Sequence, residues 1–264
     1  MSSFNIKTAS LPADDYARLM EMFPKLVGKG FYDYCPTCKK AGTYRWQGRE
    51  WECDCAMQFQ LYLHYHAAGI GIRYQRLGWG DWKGDPDILD AIQLYAANDL
   101  NAEEGVGLFL YGPNGVGKTM LATLALKEFI KRGFSCYYCT FADMIEAFTA
   151  GWKSDDDKRW FDRKFKQSQV LILDDFGRHY SMTDRLPAST FDSLLRTRVQ
   201  AGRPTLFTAN MTPEDVSVGY GSAALSLLRE QSLEEHLRGD DYRSNSVAGK
   251  LAAQLAIGEM RPIV

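Results

Sequence analysis

The sequence lacks a long apolar run, because no stretch approaches the roughly 18 consecutive apolar residues that a membrane-spanning helix needs. The first residues, MSSFNIKTASLPADDY, also lack the apolar segment of a secretory signal peptide and contain acids by residue 14. These two absences predict a cytoplasmic protein with no membrane partner. Thiols stay reduced in the cytoplasm, so the six cysteines of the chain need a role other than disulfide bonding.

An excess of positive charge is absent as well. The 31 Lys and Arg residues against 33 Asp and Glu residues give a net charge of -2. This balance excludes nucleic-acid binding by overall basicity but leaves room for local basic patches. With 45% hydrophobic and 24% charged residues, the composition is that of an ordinary globular protein. The 264 residues suffice for one large domain and a small one, or for two modest domains.

From about residue 88 the sequence alternates between apolar strands and amphipathic helices. Helices are predicted over 118–132 and 189–201, and the predicted strands are VGLFLYG (106–112), SCYYCTF (135–141), VLILDD (170–175) and PTLFTAN (204–210). This alternation predicts an α/β fold built on a parallel sheet. Cys136 and Cys139 lie three positions apart on one strand, so their side chains point to opposite faces and do not form a chelate.

A phosphate-binding loop follows the first of these strands. GPNGVGKT (112–119) fits the pattern G-x-x-x-x-G-K-T, in which glycines let backbone N–H groups approach phosphate oxygens. In this pattern Lys118 reaches the β- and γ-phosphates, and Thr119 holds Mg²⁺ through its hydroxyl. The predicted nucleotide-binding residues are Gly112, Pro113, Asn114, Gly115, Val116, Gly117, Lys118, Thr119 and Met120.

Polar residues close two of the later strands, as metal-assisted phosphoryl transfer requires. Asp174 ends VLILDD and is the predicted second partner of Mg²⁺, while Asp175 is the candidate to orient or deprotonate the attacking water. Asn210 closes PTLFTAN and can position that water. Together with Lys118, these three residues form the predicted catalytic set of a single chain.

Three common classes of P-loop protein find little support in the sequence. TANMTPED does not contain the N-K-x-D motif with which a GTPase recognises the guanine base. No serine- and glycine-rich signature of an ABC ATPase precedes the acidic strand. Residues 176–205 contain no arginine cluster of the kind found in the lid of a small-molecule kinase. A kinase therefore stays only as a third hypothesis.

Four segments carry a resemblance to a known family: YGPNGVGKTMLA (111–122), VLILDDFG (170–177), RPTLFTANMTPED (203–215) and GDDYR (239–243). With these motifs, residues 61–243 resemble the AAA+ ATPases, and among them the DnaC/DnaI helicase loaders and the related IstB transposition helpers. The resemblance implies ATP as the nucleotide, slow hydrolysis stimulated by DNA, and self-assembly into a ring or spiral. A core without a helical lid is expected, because only 21 residues follow Arg243.

The resemblance further implies an arginine that reaches the γ-phosphate of the neighbouring subunit, where such a residue contributes about 10³–10⁵ in rate. Arg229, in SLLREQ, lies where this arginine falls in the family, although the family more often reads Ser/Asp-Arg-Leu. Arg243, in GDDYR, is the second choice. An ordinary surface role for Arg229 stays open.

Four cysteines near the N-terminus have the spacing C-x2-C-x14-C-x-C, which suits a structural Zn²⁺ site with four thiolates on two tight turns. The second turn is one residue shorter than the usual C-x-x-C, so a zinc ribbon is not fully matched. Surface thiols or a redox pair are the alternatives, and His64 or His66 can substitute for one cysteine. The predicted zinc ligands are Cys35, Cys38, Cys53 and Cys55.

Two segments combine basic with aromatic residues. Residues 24–50 contain six Lys or Arg together with Tyr and Trp, which suits a single-stranded nucleic-acid platform, a protein-binding surface or a solvated rim around zinc. Residues 152–166 contain six cations and four aspartates. In the resembling clade this region contributes to contact with single-stranded DNA, and an ordinary mixed-charge helix is the alternative.

These expectations divide the chain into a zinc-binding and partner-binding domain (1–60), a linker helix and loop (61–87), an AAA+ ATPase domain (88–243) and a helical tail (244–264). The first functional hypothesis is a loader that binds a DnaB-type hexameric helicase and single-stranded DNA, with ATP controlling release. The second is an IstB-like helper that assembles on duplex DNA and recruits a transposase. The predicted cofactors are ATP, Mg²⁺ and Zn²⁺.

Overall fold

The computed structural model describes residues 43–52, 54–177, 185–242 and 263–264. Its strands are β1 (Thr43–Trp46), β2 (Arg49–Glu52), β3 (Gly107–Tyr111), β4 (Cys136–Thr140), β5 (Val170–Phe176), β6 (Thr205–Ala209) and β7 (Ser232–His236). Its helices are α1 (Asp54–Ala67), α2 (Ile72–Gln75), α3 (Pro86–Ala97), α4 (Asp99–Glu103), α5 (Lys118–Lys131), α6 (Phe141–Ala150), α7 (Asp155–Phe161), α8 (Arg185–Gln200), α9 (Pro213–Tyr220) and α10 (Ser222–Gln231). A 3-10 turn covers Trp79–Asp81, and a π-helical turn, Asp162–Lys166, follows α7.

Five parallel strands form the central sheet, in the order β4-β5-β6-β3-β7. Strands β3, β5 and β6 are almost wholly buried because helices cover both faces of the sheet. The predicted parallel α/β fold is therefore confirmed. β1 and β2 form a separate antiparallel hairpin that turns at Gln47 and Gly48.

The fifth strand of the sheet, β7, is absent from the sequence prediction. Its sequence, SLEEH, contains two adjacent acids and is only partly buried, since it occupies the edge of the sheet beside β3. An edge strand is covered on fewer sides than a central one, so no apolar run marks it in the sequence.

Two hydrophobic cores lie on the two faces of the sheet. α5 packs on one face with α1 and α3, and α6, α8, α9 and α10 pack on the other. The side chains of β4 alternate between them: Cys136 is half-buried against the first core and Cys139 is buried in the second. Burial raises the pKa of both thiols. The two thiols therefore lie on opposite faces of the sheet, as the alternation of the strand predicts.

Residues 61–82 pack against the same hydrophobic cluster as α5, whereas the sequence predicts a linker over 61–87 and an ATPase domain beginning at residue 88. Leu61 and Tyr65 of α1 are buried in the same cluster as α5. Trp79 and Trp82 pack against this cluster from within the polar strip 78–87. Their two indole rings supply apolar surface that packs on the core. The average composition of the strip does not show this, because Gly, Asp and Pro make up most of it.

A buried lysine attaches this N-terminal segment to α5. Lys127 is 1% exposed, and its Nζ donates to the carbonyl oxygens of Tyr74 at 3.2 Å, Gln75 at 3.2 Å and Leu77 at 2.7 Å. These carbonyls belong to the end of α2 and the residues after it. A charged ammonium in an apolar core needs such acceptors, so Lys127 holds residues 74–77 against the helix that follows the phosphate loop.

A buried arginine organises the far side of the sheet. Arg198 of α8 is 0% exposed. Its guanidinium donates to the hydroxyl of Thr205 and to the carbonyl oxygens of Phe165, Ser168, Gln169 and Pro204. Burial lowers the pKa of Arg198, and the five acceptors compensate for the lost hydration of the cation. Arg198 thereby fixes the π-helical turn after α7 against β6.

Several predictions fall outside the described residues. These are zinc ligands Cys35, Cys38 and Cys53, the second-choice arginine Arg243, and the tail helix; Cys55 lies in the first turn of α1. In the part of the chain that the structure describes, no three His, Cys, Asp or Glu side chains cluster so as to hold a metal ion. Within the same residues, no helix is both long and apolar enough to cross a membrane.

Candidate nucleotide-binding site

The phosphate loop connects the end of β3 at Tyr111 to the start of α5 at Lys118. Gly115 and Gly117 have φ angles of 81° and 93°, in the left-handed region that favours glycine. A side chain at Gly117 would overlap the indole of Trp82, and one at Gly115 would overlap the carboxylate of Asp241. Backbone conformation and close neighbours therefore both require glycine at these two positions.

Lys118 lies inside the curve of this loop with only 7% of its surface exposed. Its Nζ donates to the carbonyl oxygens of Gly112 at 2.9 Å and Pro113 at 2.7 Å, and to Asn210 Oδ1 at 2.9 Å. The Lys118 ammonium thus contacts the side-chain amide of Asn210, the residue that follows β6. The structure brings together Lys118 and Asn210, which the sequence predicts to act on the same phosphate.

Asp174 lies near the C-terminal end of β5, next to the first turn of α5. Its carboxylate is 5% exposed, and its Oδ1 accepts from the hydroxyl of Thr119 at 2.8 Å and from the hydroxyl of Thr208. Its Oδ2 accepts from the hydroxyl of Tyr138 at 2.7 Å. A threonine hydroxyl beside a carboxylate is an oxygen donor set that suits Mg²⁺. Thr119 and Asp174 therefore fit the predicted metal.

Asp175 has an unusual backbone conformation. Its φ angle is 54°, and the pairing of β5 with β6 shifts register between Leu173 and Phe176. The backbone N–H of Asp175 donates to Thr208 Oγ1 at 3.1 Å. A bulge of this kind re-aims a side chain at the edge of a sheet. The side chain of Asp175 consequently departs from the alternating side-chain directions of β5. The two adjacent acids, Asp174 and Asp175, therefore lie in different environments.

Thr208 and Tyr138 are site residues that the sequence prediction misses. The Thr208 hydroxyl accepts from the backbone of one acid and donates to the carboxylate of the other. A polar residue directly after the apolar pair Leu206 and Phe207 of the strand TLFTA was an available signal for Thr208. For Tyr138, in CYYCT, no sequence signal distinguishes its hydroxyl from that of Tyr137.

Two further segments flank the phosphate loop. The Trp82 ring lies against Gly117, and its Nε1 donates to the carbonyl oxygen of Asp85 at 3.3 Å. From the other side, the backbone N–H of Tyr242 donates to the carbonyl oxygen of Gly115 at 3.2 Å, and the Tyr242 hydroxyl donates to that of Lys83 at 3.0 Å. The loop is therefore bordered by residues from both ends of the described ATPase core.

Arg229, the predicted arginine for a neighbouring subunit, lies in the last turn of α10. Its guanidinium forms ion pairs with Glu214 at 2.8 Å and Glu234 at 3.2 Å, and 48% of the side chain is exposed. Both glutamates lie outside the phosphate loop and the ends of β5 and β6. The role of Arg229 across a subunit interface stays a prediction.

A family comparison decides the classification. Residues 85–236, more than half of the chain, match the family described as IstB-like ATP binding protein. This chain belongs to the IstB-like ATP-binding family. The match includes the phosphate loop, both acids and Asn210.

Individual relatives of this IstB-like chain fall into two groups. The replicative helicase loader DnaI of Bacillus subtilis is 28% identical over 43% of this chain and 36% of its own length. An insertion-sequence ATP-binding protein of Mycobacterium tuberculosis is 30% identical over 51% of this chain and 53% of its own. An ATP-binding protein of the insertion sequence IS5376 of Geobacillus stearothermophilus is 29% identical over 57% of this chain and 60% of its own length. The matches thus span between about a third and three fifths of these relatives.

Solved structures of helicase loaders and of a replication initiator share the fold of the IstB-like chain. The crystal structure of the DnaC helicase loader aligns with a TM-score of 0.58 and 23% identity, over 64% of this chain and 100% of that one. A DnaI structure aligns with a TM-score of 0.53 and 19% identity, over 64% of this chain and 94% of that one. A replication initiator DnaA bound to AMPPCP and single-stranded DNA aligns with a TM-score of 0.53 and 18% identity, over 69% and 56%. At these identities the likeness establishes the fold alone.

Proposed function

We propose that this protein is an ATP-controlled loader that places a DnaB-type hexameric helicase on single-stranded DNA. The observation that carries the proposal is the assembled site of Lys118, Asp174 and Asn210 in a chain related to the DnaI loader. In a loader, the binding or loss of ATP has to change the surface that a partner contacts. The nucleotide site of this chain is bordered by residues from both ends of the ATPase core, which can pass such a change on.

Each residue of the site has a defined part in binding and hydrolysis of ATP. Lys118 exchanges its contacts with loop carbonyls for the β- and γ-phosphates, while its contact with Asn210 fixes the amide beside the γ-phosphate. Thr119 and Asp174 would hold Mg²⁺, which would offset the negative charge of the phosphates. Asp175 orients the attacking water and accepts its proton. Arg229 acts on the nucleotide of the neighbouring subunit in a ring or spiral.

The segment 152–166 is the proposed contact for single-stranded DNA. Trp152 and Trp160 are 65% and 36% exposed, which leaves their rings accessible to bases. The cations are not equally accessible, because Arg159 pairs with Asp156, Lys166 pairs with Asp162, and Lys164 caps the end of α1. The exposed cations that can meet phosphates without breaking an ion pair are Lys153, Lys158 and Arg163.

The N-terminal residues 1–60 are the proposed helicase-binding part, with Cys35, Cys38, Cys53 and Cys55 binding Zn²⁺. Within this part, the described hairpin of β1 and β2 exposes Trp46 and Trp51, which are 58% and 45% accessible. Exposed aromatic side chains of this kind are frequent anchors in protein interfaces. Metal analysis of the purified protein is expected to find one zinc per chain, and its absence would remove zinc from the proposal.

An IstB-like transposition helper is the second candidate. Two insertion-sequence proteins among the relatives, and the family match itself, favour it. Such a helper would use the same ATP site to assemble on duplex DNA and to recruit a transposase. The nucleotide chemistry of the two candidates is identical, so only their partners separate them.

Partner binding is therefore the test. The full chain is mixed with the DnaB-type helicase of the same genome, with ATP and Mg²⁺, and analysed by size-exclusion chromatography with light scattering. A stable complex, together with ATP hydrolysis stimulated by single-stranded DNA, supports the loader. Absence of a complex, together with ATP-dependent filaments on duplex DNA, overturns the loader in favour of the helper.

A further inference from the structure

Tyr138 connects the end of α1 to the acid of the nucleotide site. Its backbone N–H donates to the carbonyl oxygen of Ala68 at 2.8 Å, and its hydroxyl donates to Asp174 Oδ2 at 2.7 Å. Gly69, with φ of 80°, lies so close that a Cβ built there would be 2.5 Å from the Tyr138 carbonyl oxygen. The backbone of Tyr138 is therefore held in place by the residues that end α1, on the strand next to β5.

The contacts of Asp174 divide unequally between its two oxygens. Oδ1 accepts from two hydroxyls, those of Thr119 and Thr208. Oδ2 accepts from Tyr138. The P-loop motif accounts only for Thr119. The second oxygen of the carboxylate is thus held by a tyrosine from a strand that carries no motif residue.

We propose that Tyr138 is a positioning residue for the Mg²⁺ site: its hydroxyl fixes Oδ2 of Asp174 so that Oδ1 faces Thr119 and the metal. This inference rests on the proposed role of Thr119 and Asp174 as Mg²⁺ partners. Without the hydroxyl, Oδ2 loses this hydrogen bond, and only the two threonine hydroxyls on Oδ1 still hold the carboxylate. Oδ2 then has more freedom to move. Mg²⁺ demands near-ideal octahedral geometry, so such freedom weakens binding.

A tyrosine suits this position because it donates without carrying charge. Burial and the neighbouring carboxylate raise the pKa of Tyr138. A Lys or Arg in its place would pair with Asp174 and compete with the cation for the carboxylate. The neutral hydroxyl orients the acid and leaves its full negative charge for Mg²⁺.

The test compares the affinity for a fluorescent ATP analogue with Mg²⁺ and with EDTA, which measures binding and not turnover. Tyr138→Phe keeps the ring and removes the hydroxyl. We expect its affinity in EDTA to stay within about twofold of wild type, and the gain in affinity on adding Mg²⁺ to fall roughly tenfold, as for loss of one charge-assisted hydrogen bond. An undiminished gain with Mg²⁺ would overturn the inference.

Tyr137→Phe is the matched control on the same strand. The Tyr137 ring faces the other core and packs on Phe165 at 5.3 Å, and none of the hydrogen bonds found in the described residues involves its hydroxyl. This variant is expected to keep the wild-type gain with Mg²⁺, and an equal loss in it would assign the effect to strand stability. If the wild type gains no affinity from Mg²⁺, or if Lys118→Ala binds as tightly as wild type, the nucleotide site itself is misplaced. That outcome is distinct from failure of the Tyr138 proposal.

Discussion

Lys118 Nζ donates a 2.9 Å hydrogen bond to Asn210 Oδ1, across 92 positions of the chain. β3 and β6 are parallel neighbours in which Tyr111 is paired with Ala209, so the phosphate loop and Asn210 leave the sheet side by side. The contact therefore follows from strand order. It places the lysine that is proposed to bind phosphate beside the amide that is proposed to position water.

Asp175→Asn is expected to separate ATP binding from hydrolysis. Asn tolerates positive φ, so the left-handed conformation at this position is retained. The amide cannot accept the proton of the attacking water, and loss of a general base lowers rates by about 10²–10⁴. Equilibrium binding and single-turnover hydrolysis of ATP measure the two properties. Hydrolysis at the wild-type rate would remove Asp175 from the catalytic set.

Trp82 is expected to report nucleotide binding through its fluorescence. Its ring lies against Gly117 at the start of α5, so phosphates entering the loop change its surroundings. Trp82→Phe should therefore remove most of the fluorescence change that ATP causes in the wild type. Trp152→Phe is the control, since that ring is 65% exposed and packs on Phe148. An unchanged signal in Trp82→Phe would place the reporting tryptophan elsewhere.

Arg198→Lys is expected to destabilise the fold. Lysine has three donors and cannot serve the five acceptors that the buried guanidinium serves, and it leaves carbonyl oxygens unsatisfied. We expect a loss of about 2–4 kcal/mol in the free energy of unfolding, measured by urea titration. Arg196→Lys, two positions away and paired with Asp192 on the surface, should change stability by less than about 0.5 kcal/mol. Equal stability of the two variants would contradict this account of Arg198.

The central site was predictable because its residues stand at strand ends. The carboxyl ends of parallel strands meet at one edge of a sheet. The apolar run before the phosphate loop and the apolar runs that precede Asp174 and Asn210 therefore mark both the strands and the site. The supporting contacts were not predictable in this way. Tyr138 and Thr208 reach Asp174 through side chains from neighbouring strands, and only the strand order and register bring them together.

The N-terminal boundary of the core shows a second limit of sequence patterns. The strip 78–87 is rich in Gly, Asp and Pro, which is typical of a linker. Two tryptophans of this strip pack against the core that contains α5. Just before the strip, Lys127 of α5 binds three backbone carbonyls of residues 74–77. A buried lysine satisfied by carbonyl oxygens leaves no signature in the sequence, because its acceptors are present in every residue.

Binding of ATP to wild type and Lys118→Ala, measured by isothermal titration with Mg²⁺, tests the central claim most directly. The Lys118 side chain contacts both the loop and Asn210. The account predicts saturable binding to the wild type and a loss of at least about 100-fold in Lys118→Ala, as expected when a buried phosphate partner is removed. Wild-type affinity in Lys118→Ala would contradict the placement of the nucleotide, and with it the proposed function.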